Sequence, residues 1–304
     1  MATEKNLKKQ EKYLLALEKS KEKELLKAYV KSNAKIKADI ALLSENGTLT
    51  GVEIMRYNRL VELQNKVIIE IKTLAKETGL IINNSVIEQY QEGYNTTSFL
   101  LEKDIEADMS FSLIPKYEAK EAIINPLSKV GFVQRNTTNL AKTAMDLNSL
   151  LAQGIIQGKS YKDIADIVND KFNIGYQNSL RIVKTENHRV NQKAAEDSAN
   201  FVANKGVIMQ KQWRASIDDS TRETHGEADG QIVDLDKPFI VQGENLMYPG
   251  DPSGSASNVI NCRCVSIKLV TGYKPSFRRI RGEGIVPYTN YTDWKENHNL
   301  PVRS

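Results

Sequence analysis

The sequence predicts an α+β protein: a long helical N-terminal region, then a helical segment that carries a small antiparallel sheet. Three observations lead there. The first forty residues are rich in Lys, Glu, Leu and Ala, with apolar positions at helical spacing. Near residues 207–213 the apolar period changes to two. Beyond them, Gly- and Asp-bearing loops separate short apolar runs at 231–233, 239–241 and 259–269, which suggests a short sheet.

Composition bounds the rest. A chain of 304 residues that is 40% hydrophobic can bury a real core in one large or two modest domains. The net charge of +4 and pI near 8.8 are mild, so any nucleic-acid surface must be local. The start lacks the apolar core of a secretion signal, and no stretch approaches about 18 uninterrupted apolar residues. Synthesis and retention in a cytoplasm are therefore expected, with no membrane partner. Two closely spaced cysteines fit a reducing compartment.

Within residues 3–44, Leu25, Tyr29, Ile36, Ile40 and Leu43 recur three, four or seven apart, on one helical face. Glu18 and Glu22 precede lysines in helical register, so the charged remainder reads as a solvated face with weak ion pairs. Its excess of positive charge also suits contact with DNA or a partner. Asn46-Gly47 breaks this helix. Thr50 caps a second, with Ile54, Tyr57, Val61, Ile68, Ile71 and Ala75 as its stripe and Gly79 as its end. A third spans 84–109, kinked or split at Gly93-Tyr94-Asn95-Thr96-Thr97. Together they predict an extended helical arm or bundle over residues 1–115.

Pro115 and Pro126 mark a change of packing unit, since each removes a backbone donor. Residues 137–157 read as a helix. Ser160 caps a short one, supported by Asp163 in its first turn, and Asn173-Ile174-Gly175 separates it from a helix over 177–204. The pair superficially resembles a helix-turn-helix, but core packing explains it better. This second domain is expected to cover 116–272. Residues 273–304 form a basic and aromatic tail that looks loosely attached.

The chemistry concentrates in residues 213–264, which hold both cysteines and one of three histidines. On a strand, Cys262 and Cys264 point to one face but sit too close for a relaxed disulfide. With His225 they supply three of the usual four zinc ligands. Asp219, Asp229 or His188 would complete the set if the fold brought one near, although a one-residue gap is not a CxxC knuckle. The plainer reading packs the thiols as small buried groups and hydrogen-bonds His225 to a loop carbonyl or carboxylate. No cofactor is therefore expected, zinc being the alternative.

A Cys–His nucleophile pair, or a nuclease metal on Asp218, Asp219 and His225, fits no hydrolase order or spacing. Gly250-Asp251-Pro252-Ser253-Gly254 lacks the Lys and helix entry of a P-loop, and no enzyme activity is expected. Trp213 fills core volume with its N–H on an acceptor, and Gly230 permits a turn after Asp229. Arg222, Asp219, Glu186, Arg189 and Arg263 read as an ion-pair network locking loops to a helix. Lys274, Arg278, Arg279 and Arg281 would contact DNA through its backbone, salt-sensitively and without reading bases.

Taken together, Trp213, Asp218-Asp219, Arg222, His225, Gly230 and Asn261-Cys262-Arg263-Cys264 resemble the signature of the phage Mu F-like head morphogenesis family, minor head proteins of tailed bacteriophages. Lys184-Thr185-Glu186-Asn187-His188-Arg189 is similar to the family's helical RTExxR element, with Lys184 where Arg is usual. The resemblance covers residues 130–270, with its core motifs in 184–264. It implies a minor head protein that associates with the phage portal protein, with capsid or scaffolding protein, and nonspecifically with packaged double-stranded DNA. The implied location is the virion interior, preceded by the host bacterial cytoplasm during assembly. The alternative is a metal-dependent nuclease or other effector delivered with the genome, although residues 273–304 are too few for a catalytic domain.

Overall fold

The computed structural model describes residues 4–42, 59–124, 131–271, 277–280, 284–291 and 293. Leu43, the Asn46-Gly47 break, the Thr50 cap, Ile54, Tyr57 and Pro126 lie outside them. Among the described residues five helices come first: α1 (Glu4–Ala41), α2 (Arg59–Ile105), α3 (Lys116–Ala122), α4 (Phe132–Ile156) and α5 (Tyr161–Ala203). Strand β1 (Met209–Arg214), short helix α6 (Glu223–Glu227), β2 (Ile232–Asp234), β3 (Phe239–Val241) and β4 (Glu244–Leu246) follow. Helix α7 (Ala256–Val259), β5 (Val265–Val270), β6 (Phe277–Ile280) and β7 (Gly284–Pro287) complete the described chain. The α+β expectation, long helices before a small antiparallel sheet, is borne out.

Two compact units emerge, one of residues 15–85 and 129–183, the other of residues 1–14, 86–128 and 184–304. The described residues of the first are mainly helical. Leu25, Tyr29, Ile36 and Ile40 are buried as the α1 stripe predicts. On α2 Ile71 is buried as expected, but the rest of the stripe is displaced: Val61 is exposed, whereas Leu63, Val67 and Leu74 are buried. A polar chain runs through this core. Asn136 donates to Thr78 Oγ1 (2.8 Å), Ser179 donates to Asn136 Oδ1 (2.5 Å), and the Tyr29 hydroxyl reaches Ser179 (2.6 Å) and the Gly175 carbonyl (3.0 Å). Such mutually satisfied groups remove the penalty of burying polar atoms and select one packing.

Three expected helix breaks are absent. Helix α2 passes uninterrupted through Gly79 and Gly93, and α5 through Asn173-Ile174-Gly175, so no helix-turn-helix forms. The glycines serve close approach instead. A Cβ at Gly93 would stand 2.9 Å from Asn191 Nδ2 and 3.2 Å from the Ala194 Cβ, and one at Gly175 would stand 3.0 Å from Thr143 Oγ1. Glycine disfavours a helix by only about 1 kcal/mol relative to alanine, and packing overrides that. Gly93→Val is expected to lower stability by about 1–3 kcal/mol through overpacking, read as a shift in the urea midpoint.

The Ser160 cap forms as predicted. The Asp163 N–H donates to Ser160 Oγ (3.2 Å) and the Ser160 N–H donates to Asp163 Oδ2 (3.2 Å), a reciprocal box. Hydrogen bonds from Ser160 also hold the Asp163 carboxyl below its usual range.

In the second unit, β1 is the central strand of a sheet ordered β2-β1-β5, antiparallel throughout, with Lys211 opposite Lys268 and Trp213 opposite Ser266. Strands β3 and β4 form a hairpin whose two-residue loop, Gln242-Gly243, has φ of 52° and 75°. That is the turn with both central residues left-handed, which matches strand twist. One core gathers Trp213, Phe239, Val241, Leu246, Cys262 and Cys264. The described part of the tail is docked rather than loose. The Asp229 carboxylate accepts the Tyr291 N–H (2.7 Å), Gln212 donates to the Tyr288 hydroxyl (3.2 Å), and Val286 and Tyr291 pack on Ile217.

Candidate functional site

One face of α5 organises the site. Thr185, His188, Gln192 and Glu196 recur at three- and four-residue steps, so they line a single side of the helix. Each meets a different piece of the β half. Thr185 Oγ1 accepts the Asn261 N–H (3.2 Å), and Gln192 Oε1 accepts the Ser266 N–H (2.8 Å). Glu196 receives Lys211 (2.7 Å) on one oxygen and Lys268 on the other. All three charged groups of that triad are buried. Paired Lys211 and Lys268 would repel across the strands; the carboxylate between them makes the register tolerable.

Burial pushes the Lys268 ammonium down to about 8, against the pull of Glu196 and with help from Lys211. Its folded pKa therefore lies below its unfolded value, so the unfolded chain binds more protons between those two values. Stability is expected to rise by about 1 kcal/mol from roughly pH 7 to 9, and Lys268→Met should abolish that component. Chemical denaturation of both proteins at several pH values measures it.

Around the cysteines, Asn261 adopts φ 56°, a left-handed turn that Asn tolerates better than most residues. The turn delivers Cys262 and Cys264, both reduced and buried, toward His225 on α6. His225 Nδ1 lies 3.3 Å from Cys264 Sγ and 3.7 Å from Cys262 Sγ. Hydrogen bonds from Cys264, His188 and His225 pull the Cys262 thiol down, whereas Cys262 and burial push Cys264 up. The pair thus favours one thiolate beside one thiol. His225 is bonded to thiols, not to the loop carbonyl or carboxylate of the plainer reading.

The His188 imidazole lies against Cys262, and its buried Nε2 has no hydrogen-bond partner among the described residues. Gly250, at φ 84°, brings its loop onto the same ring: an added Cβ would stand 3.3 Å from His188 Cδ2. Trp213 is fully buried and meets His225 edge-on at 5.6 Å and Phe239 at 5.4 Å. Its Nε1 lacks the expected acceptor among the described residues.

The charged motif residues form separate pairs. Arg189 pairs with Glu186 (2.8 Å) inside the core and donates to the Ile123 carbonyl (3.0 Å). Arg263 makes a two-pronged bond to Asp218, not Asp219, which is exposed. Arg222 donates to the Ile260 carbonyl. Gly230 takes φ 83° after Asp229, whose other oxygen accepts the Ala215 N–H (2.8 Å). A cleft of about 610 Å³ borders Gly226 and Gly230, but the Asp229 carboxylate in its wall is already committed to two backbone donors. Arg278 and Arg279 fall on β6, their side chains outside the described residues; Lys274 and Arg281 also lie outside them.

Sequence reasoning missed the Lys211–Glu196–Lys268 triad. Its signal was the shared helical spacing of Glu196 with His188 and Gln192, and two lysines on strand faces that bury their neighbours.

Residues 145–267 match the family described as Phage Mu protein F like protein. That match over the segment carrying the motifs bears out the resemblance to the Mu F-like family. Over 295 residues the chain is 28% identical to minor head protein GP7 of Bacillus phage SPP1, spanning 94% of this chain and 95% of that protein. It is 26% identical over 306 residues to NAD(+)--arginine ADP-ribosyltransferase EFV of Enterococcus faecalis, spanning 97% of this chain but 63% of that protein. Uncharacterized protein YqbB of Bacillus subtilis is 28% identical over 128 residues, 41% of each chain. No solved structure matches the chain.

Proposed function

We propose that this chain is a minor head protein of a tailed phage that associates with the portal protein and the procapsid interior, alongside capsid or scaffolding protein, during head assembly. The observation that carries the reading is the end-to-end similarity to the SPP1 minor head protein, 95% of whose length is covered. Among the described residues no helix is long and apolar enough to cross a membrane, in keeping with a place in the virion interior after assembly in host cytoplasm. Coexpression with the portal protein, followed by affinity capture at low and high salt, tests the association. Salt-resistant capture is expected; absence of capture, or absence of the chain from purified procapsids, would overturn it.

Packaged DNA is a second partner in this reading, held through phosphates by Lys274, Arg278, Arg279 and Arg281. Affinity should fall steeply with salt, and replacing the four by Gln should reduce the log–log salt slope by about 0.9 for each phosphate no longer neutralised. An unchanged slope would remove these residues from the interface.

The Enterococcus relative's name favours a second reading, an effector carried with the genome. More than a third of that protein lies outside the stretch shared with this chain. Transfer of ADP-ribose from NAD to an arginine substrate by the purified chain would establish the effector.

A further inference from the structure

We infer that His188, His225, Cys262 and Cys264 form a tetrahedral site for a structural zinc-class divalent ion, fastening helix α5 to α6 and to the turn at Asn261. The inference stands independently of the head-assembly reading. Its first support is spacing. An ion 2.3 Å from sulfur and 2.0–2.1 Å from nitrogen at tetrahedral angles separates S from N by about 3.5 Å and S from S by about 3.8 Å. His225 Nδ1 stands 3.3 and 3.7 Å from the two sulfurs, and the three donor atoms all lie within 4.8 Å of one another. These three groups need little rearrangement to close on an ion.

The second support is the unmatched chemistry of the fourth group. His188 Nε2 is buried without a hydrogen-bond partner among the described residues, while its ring lies against Cys262 and under Gly250. A buried imidazole nitrogen left unpaired is penalised, and an ion supplies what no nearby donor does. Edge-on packing of Trp213 restrains the His225 ring. Two neutral imidazoles with two thiolates match zinc in hardness and coordination number. In the ion-bound site both cysteines are thiolates, the remaining thiol proton passing to solvent, so two thiolates balance the divalent charge.

Third, the site sits where the fold needs a fastener. Residues 213–264 contain short strands, two short helices and long loops, and metal ligation contributes folding free energy directly in such small units.

Cobalt titration of the reduced, full-length chain tests the inference. Binding of about one ion per chain, with the absorption bands of tetrahedral cobalt and a thiolate charge-transfer band that zinc displaces, is expected. Cys262→Ser and Cys264→Ser should each diminish the charge-transfer band. His188→Gln should weaken affinity at least about 100-fold, since even outer-shell partners of metal ligands are worth 10–100-fold. Failure of the reduced chain to take up cobalt, an unchanged band in the Cys262→Ser/Cys264→Ser double variant, or unchanged affinity in His188→Gln would overturn the assignment. Native-state alkylation of the unmutated protein guards against variants that fail to fold. Strong protection of both thiols by added zinc supports the site, and equal labelling with and without zinc refutes it.

Discussion

Glu196→Gln is expected to lower the unfolding free energy by about 3–5 kcal/mol, because removing one member of a buried ionic group strands the rest. Here two ammoniums would be stranded. Lys211 and Lys268 are both buried and face each other across β1 and β5, and Glu196 is the carboxylate that receives them. The remaining partners, the Met247 carbonyl for Lys211 (2.9 Å) and Ser266 Oγ for Lys268 (2.9 Å), are neutral. A companion variant separates the stranded charge from the missing hydrogen bonds. Replacing all three residues by apolar ones of similar size should recover most of the loss, since buried ion groups often add little over good packing. Urea unfolding of both variants measures this; a full loss in the triple variant would show that the triad contributes geometry rather than charge balance.

Trp213→Ala is the second large effect, at about 3–5 kcal/mol. The indole is fully buried at the centre of the β-half core and touches His225 and Phe239. Trp213→Phe should cost distinctly less. It keeps an aromatic ring and, because Nε1 has no acceptor among the described residues, it breaks no hydrogen bond seen there. Similar losses for the two variants in thermal or urea unfolding would contradict this account. If the indole orients His225, Trp213→Ala should also weaken cobalt binding more than Trp213→Phe does.

What the sequence made legible, and what it hid, follows from the range of each interaction. The α1 stripe, the Ser160 cap and the β1 and β3 runs are local patterns, and they appear where periodicity and residue chemistry place them; the charged motif residues depart from the expected network, Arg263 pairing with Asp218 and Arg189 with Glu186. The helix breaks assigned to Gly79, Gly93 and Asn173-Ile174-Gly175 were local arguments about a small propensity penalty. Packing against Asn191, Ala194 and Thr143 decided two of these sites, and no sequence window contains both partners. The hairpin turn at Gln242-Gly243 escaped notice because Gln is an unusual residue at φ 52°.

At the candidate site, His225, Cys262 and Cys264 could be grouped from the sequence because they share one short span. His188 was only one of three candidates to join them, since just the fold turns that side of α5 toward the turn. Buried lysines are harder still. Composition treats Lys as solvent-facing, and Lys211 and Lys268 look like surface charge until the Glu196 register is known.

The row of polar groups on α5 sets an order of events. Gln192 bonds to Ser266 across 74 residues and Glu196 to Lys268 across 72, whereas the helix is closed by bonds between near neighbours in sequence. Local structure forms in microseconds, and distant segments meet only after loop closure has been overcome. The helix is thus the template and the sheet its late-arriving cast. Until α5 is in place, β1 and β5 would bring two lysines together with nothing between them. Pulse-labelled hydrogen exchange during refolding should therefore find the amides of residues 184–203 protected before those of β1 and β5.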